Sequence, residues 1–93
     1  MKIHELKTDP RDFDSVLQGW KTLEVRVDDR GYRLSDYLLL RRTKNTGEEM
    51  RNGLPLNYTG NHILCKITHL QSKIGMKEGW VALSIKVLDV GTW

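Results

Sequence analysis

The chain has 93 residues, 39% hydrophobic and 29% charged, with one cysteine and a formal net charge of +3 at pH 7. That length supports one compact domain over residues 1–93 with a small core, and excludes two. One cysteine excludes an internal disulfide. The longest purely apolar run, Tyr37 to Leu40, is far short of the roughly 20 residues that span a bilayer, so no membrane partner is expected.

No secretory leader is read at the N-terminus, so the expected setting is a reducing cytoplasm, and the Asn57-Tyr58-Thr59 sequon is incidental. The charge is uneven. Residues 1–30 hold six basic and seven acidic side chains, and residues 31–93 hold nine and five. This basic bias permits a nucleic-acid partner without demanding one.

Residues 2–7 read as a first strand, with Ile3 and His4 on opposite faces. Thr8-Asp9-Pro10 is a helix start: Asp9 or Thr8 can cap free N–H groups, and proline fits the first turn. Phe13, Val16, Leu17 and Trp20 fall at i, i+3, i+4 and i+7, one apolar stripe, and Gly19 ends the helix. From Thr22 to Val27 the apolar Leu23, Val25 and Val27 alternate with Thr22, Glu24 and Arg26. This period of two predicts a half-buried strand with the apolar row toward the core and the polar row outward.

A turn at residues 28–31 leads to a strand over Asp36–Thr43. Lys44-Asn45-Thr46-Gly47 reads as a hairpin turn, with residues 48–51 returning as a short strand. Residues 52–61 read as a loop. A strand over His62–Thr68 places Ile63, Cys65 and Ile67 on one face, with Cys65 in the core. After a connection at 71–79, Trp80–Val87 is the last strand, with Val81, Leu83, Ile85 and Val87 together. The expected fold is α+β, mainly β: a small barrel of five or six strands with one short helix after the first.

Three motifs stand in order along nearly the whole chain: His4-Glu5-Leu6-Lys7-Thr8, then Gly19-x-Lys21-Thr22-x-Glu24-x-Arg26, then Lys77-Glu78-Gly79-Trp80-Val81-Ala82-Leu83-Ser84-Ile85. Together they resemble an ASCH-like family of the PUA-like superfamily, small phage and bacterial proteins mostly of unknown function. The resemblance implies a PUA-like β-barrel with the helix across one opening, and a cleft beside that helix lined by Lys21, Glu24 and Arg26. It also implies RNA or a modified base as ligand, since members of the wider superfamily bind these.

The chain departs from the family pattern at Ser35-Asp36, where members often have Gly-Asp, so the turn there forms without glycine's freedom. One branch of the family removes the acetyl group from N4-acetylcytidine. It keeps the lysine, the following threonine and the arginine, but has a catalytic threonine where this chain has Glu24 and a catalytic glutamate farther along. Glu78 belongs to a different motif and is no counterpart to that acid.

The expected ligand site is therefore Lys21, Thr22, Glu24 and Arg26, flanked by Lys7, Thr8, Trp20 and Tyr32. Arg26 and Lys21 would grip a phosphate or carbonyl, while Glu24 would accept from an exocyclic amine or hold the two cations. Surface ion pairing alone is the plain alternative. A helix N-terminus can take an anion near Lys7 and Thr8, although capping accounts for Thr8. Two readings of Trp20 stay open, base stacking and core packing; Tyr32 and Tyr58 lie in loops where stacking is open to them, and Trp80 and Trp93 read as structural. Arg41, Arg42, Lys44 and Arg51 straddle the hairpin, where Glu48 and Glu49 blunt their charge. His4, His62 and His69 lack metal-ligand spacing, so no metal and no cofactor is expected.

These residues support an RNA- or modified-nucleotide-binding module. The alternatives are an amidohydrolase acting on a modified nucleoside through Lys21 and Glu24, and a phage or host accessory protein that binds another protein.

Overall fold

The alternation in the sequence forms strands where the pattern is strongest. In the computed structural model, which describes residues 1–93, the elements are β1 (Ile3–Thr8), α1 (Pro10–Leu17), β2 (Leu23–Val27), β3 (Tyr37–Thr43), α2 (Gly47–Arg51), β4 (Tyr58–Ser72) and β5 (Trp80–Thr92). The strands form one curled sheet, a mainly-β half-barrel, in the order β1-β3-β4-β5-β2. β1 runs parallel to β3, and the other neighbours are antiparallel. β1 and β2 are the two free edges.

The three central strands send apolar side chains inward: Leu38 and Leu40 from β3, Ile63, Cys65 and Ile67 from β4, and Val81, Leu83 and Ile85 from β5. Phe13 and Val16 of α1 complete this core from across the curl. Each such side chain stabilises the fold by about 1.5–3 kcal/mol on burial. The expected helix stripe is shorter than four: Leu17 and Trp20 are exposed, because Gln18 ends α1 and Gly19 turns the chain at φ +80°. Trp20 is 81% exposed, so core packing does not hold it.

Residues 48–51 do not return as a strand. They lie in α2, started by a capping box in which the Thr46 hydroxyl accepts from Glu49 N–H at 3.1 Å and the Glu49 carboxylate accepts from Thr46 N–H at 2.8 Å. Asp9, not Thr8, caps α1. Its carboxylate accepts from Arg11 N–H at 2.8 Å and also from Gly47 N–H at 2.7 Å, so one acid ties both helix starts together. The Thr8 hydroxyl instead donates to the Leu6 carbonyl at 3.2 Å.

β4 starts before His62 and runs past Thr68, and β5 continues beyond Val87, which is exposed. Ser35 makes its turn at φ +72°, the left-handed conformation that glycine would adopt without strain. No helix is long and apolar enough to cross a membrane.

Candidate functional site

Two backbone bonds lock β2 onto β5: Ile85 N–H donates to the Thr22 carbonyl at 3.0 Å, and Asp28 N–H donates to the Gly79 carbonyl at 2.8 Å. In that register Glu24 lies opposite Leu83 and Arg26 opposite Val81. Leu83 and Val81 must face the core, so Glu24 and Arg26 face inward with them. This reverses the face expected from the sequence. Glu24 is 3% exposed, while Leu23, Val25 and Val27 are each 43–48% exposed. A strand has two faces of fixed parity, and its neighbour's register decides which goes in.

A buried carboxylate needs partners. Lys21 Nζ lies 3.3 Å from Glu24 Oε1 and 3.4 Å from Asp12 of α1. Arg26 Nε donates to Glu24 Oε2 at 3.2 Å. The Lys21–Oε1 contact is an ion pair, and Oε1 is itself closed off from solvent. Arg26 also reaches across the open side of the half-barrel, donating from Nη2 to the Lys7 carbonyl at 3.3 Å. Arg30 donates likewise to the Glu5 carbonyl. Two guanidinium groups thus join the free edge of β1 to the β2 side, in place of a further strand.

Beside these groups lies an open cavity of about 390 Å³, lined by Asp12, Lys21, Glu24, Val25, Arg26, Val27, Asp29, Arg30, Tyr32 and Trp80. Of the expected site residues, Lys21, Glu24, Arg26 and Tyr32 converge there. Thr22, Lys7, Thr8 and Trp20 do not line it. Thr22 gives its carbonyl to β5, Lys7 its carbonyl to Arg26, and Thr8 is buried in the fold.

Tyr32 is not open for stacking on all sides. It is buried, with its ring edge-on to His4 at 4.8 Å. Burial pushes its hydroxyl pKa up, against the pull of the Arg30 and Arg26 charges. His4 pairs with the buried Asp36 at 2.9 Å, and that hydrogen bond, with N–H donors from Lys2 and Arg33, holds the Asp36 carboxyl below its ordinary range.

Asp12, Asp29, Arg30 and Trp80 also line the cavity and escaped the sequence reading. Asp12 lies in the first turn of α1, where acids suit the helix dipole, Asp29 and Arg30 fall in the expected turn, and Trp80 reads as structural. The basic residues expected around a hairpin serve other pairs: Arg41 meets Glu5 at 3.3 Å and lies 3.8 Å over the Tyr58 ring, and Arg42 meets Asp14 at 3.4 Å. Tyr58 opens β4 beneath Arg41, and Trp93 stacks on His62 at 4.2 Å.

The chain is a small, mainly-β half-barrel with a charged cavity at the rim of an edge strand. It belongs to the family described as domain of unknown function DUF3850, which it matches over residues 3–85. It is 34% identical over 82 residues to an uncharacterized 12.9 kDa protein in the GpA 3′ region of Escherichia phage P2. That match covers 88% of this chain and 66% of the phage protein, so the chain spans just under two thirds of that relative's length.

Proposed function

We infer that the rim cavity binds the base of a nucleotide or of an RNA strand, on a half-barrel of the PUA-like (ASCH) kind. The observation that carries this reading is the convergence of Lys21, Glu24, Arg26, Arg30 and Tyr32 on one open cavity. The cavity also balances three acids (Asp12, Glu24, Asp29) against three bases (Lys21, Arg26, Arg30). Balanced charge suits the neutral polar edge of a base better than a polyphosphate, and Arg26 and Arg30 are available to a single phosphate. The lining holds no serine, threonine or cysteine, so hydrolysis here would have to use Lys21, Tyr32 or a carboxylate.

Titration with nucleoside monophosphates and short RNAs, followed by calorimetry or NMR, tests the reading. Binding should weaken as salt rises, and Arg26→Ala should weaken it about tenfold or more. Absence of binding to every nucleotide and RNA at low salt would refute it.

A further inference from the structure

A second cavity, of about 460 Å³, is lined by Asp28, Ser72, Lys73, Met76, Glu78, Gly79 and Trp80. Trp80 also lines the first cavity. It stands opposite Val27 at the last rung of the β2–β5 ladder, where Asp28 N–H donates to the Gly79 carbonyl at 2.8 Å. The two cavities therefore meet at one tryptophan, where β2 leaves the sheet.

The loop between β4 and β5 forms the far wall, and its own bonds fix its course. Met76 N–H donates to the Lys73 carbonyl at 3.2 Å, and Trp80 N–H to the Lys77 carbonyl at 2.9 Å. The Gln71 side-chain amide donates to the Ile74 carbonyl at 3.0 Å. Met76 and Trp80 give the cavity an apolar lining, which suits the face of a base. Asp28 Oδ1 accepts from the Gly31 and Tyr32 N–H groups at 3.0 and 3.2 Å, so this acid serves the turn beneath. Lys73 and Glu78 remain, one exposed charge of each sign. Lys73 is a cation available to one phosphate.

We propose that the second cavity takes the adjacent nucleotide of a single strand, so that the protein holds two successive nucleotides across Trp80. The proposal rests on the base-binding reading above. Volumes of about 390 and 460 Å³ both lie in the range of roughly 300–1,000 Å³ that holds a small ligand. A second base on a tether binds at high effective concentration, so even a weak second cavity raises affinity. Two bases parted by a side chain are unstacked, so a duplex does not fit.

Calorimetry with nucleoside monophosphates and with dinucleotides of the same bases tests this, together with methyl NMR of the methionines. A dinucleotide should bind about tenfold or more tightly than its monophosphate, the gain expected of one stacked base. The Met76 methyl resonance should shift with the dinucleotide, while that of Met50, which lines neither cavity, stays in place. Lys73→Ala and Met76→Ala should each remove most of the gain. Neither residue lines the first cavity, so monophosphate affinity should stay within about twofold. If a variant fails to fold, the Met76 shift in the unaltered protein decides.

Arg26-dependent binding of the monophosphate with no gain from the second nucleotide, or with an unmoved Met76 methyl, overturns this proposal and leaves base binding standing. A nucleoside bisphosphate that binds as tightly as the dinucleotide would assign the gain to charge alone and overturn it too. Absence of binding to every mono- and dinucleotide overturns the base-binding reading itself.

Discussion

Replacing Glu24 with glutamine tests whether the buried acid holds its two cations or only accompanies them. Glutamine keeps the shape and removes the charge. Breaking a fully buried ion pair costs roughly 3–5 kcal/mol, because the remaining charge is stranded. Here the stranded groups have other recourse. The Lys21 and Arg26 side chains are 28% and 27% exposed, Lys21 keeps Asp12 at 3.4 Å, and Arg26 keeps the Lys7 carbonyl at 3.3 Å. The loss should therefore be about 1–2 kcal/mol.

Unfolding entropy of roughly 2.1 cal/mol/K per residue gives a chain of this size about 0.2 kcal/mol per degree. Glu24→Gln should thus lower Tm by about 5–10 °C in scanning calorimetry, with the two-state ratio of enthalpies unchanged. A Tm within about 1 °C of the original would show that the acid contributes nothing to the fold. A fall of more than about 20 °C would show that Lys21 and Arg26 find no substitute partners, and the argument from their exposure would fail.

Phe13 is the largest fully buried side chain and joins α1 to the sheet; Phe13→Ala should cost about 3–5 kcal/mol in urea unfolding, and a loss under about 1 kcal/mol would mean that α1 does not share the core. At Asp9, burial pushes the carboxyl pKa up, but hydrogen bonds from Arg11 and from the Gly47 N–H outweigh it and bring it down to about 2 from 3.8. A depressed folded value stabilises above the unfolded one, so this contribution is whole above about pH 4 and is lost as pH falls through 2. Asp9→Asn should flatten that acid limb in circular dichroism, and an unchanged limb would count against the shared cap. Burial, aided by the Glu24 charge, pushes the Cys65 thiol up to about 12, so it should resist a thiol reagent at pH 8 until denaturant is added; prompt labelling of the native protein would contradict its place in the core.

The central strands were legible because each has apolar residues on one face and is paired on both edges. Periodicity then gives both the strand and its inward side, as Ile63, Cys65 and Ile67 do. The start of α1 was legible from Asp9-Pro10. α2 was not, since Asn45-Thr46-Gly47 has the composition of a tight turn. The competing signal was Thr46 with Glu49 three residues on, a capping box that needs no apolar stripe. The ends of β4 and β5 were missed because the two strands pair with each other over their whole length. That long-range pairing overrides the weak local preferences of Gly60, Asn61 and Asp89.

β2 inverts the usual pattern and β1 does so in part, since its Leu6 enters the core between His4 and Thr8; this inversion is what makes the site. β1 turns His4 and Thr8 inward and Ile3 outward, as β2 turns Glu24 and Arg26 inward and Val25 outward. Their parity is imposed by the neighbours: Leu38 and Leu40 of β3 fix β1, and Val81 and Leu83 of β5 fix β2. A closed apolar barrel would require leucine or valine at those inward edge positions. With polar groups there, the half-barrel does not zip shut on its own side chains. Its open side is bridged by Arg26 and Arg30 onto the carbonyls of β1. The sequence showed which residues would sit together at Lys21–Arg26. Only the register of β5 shows that the acid faces in, where its pairs with Lys21 and Arg26 act in a lower dielectric than they would on an exposed strand face.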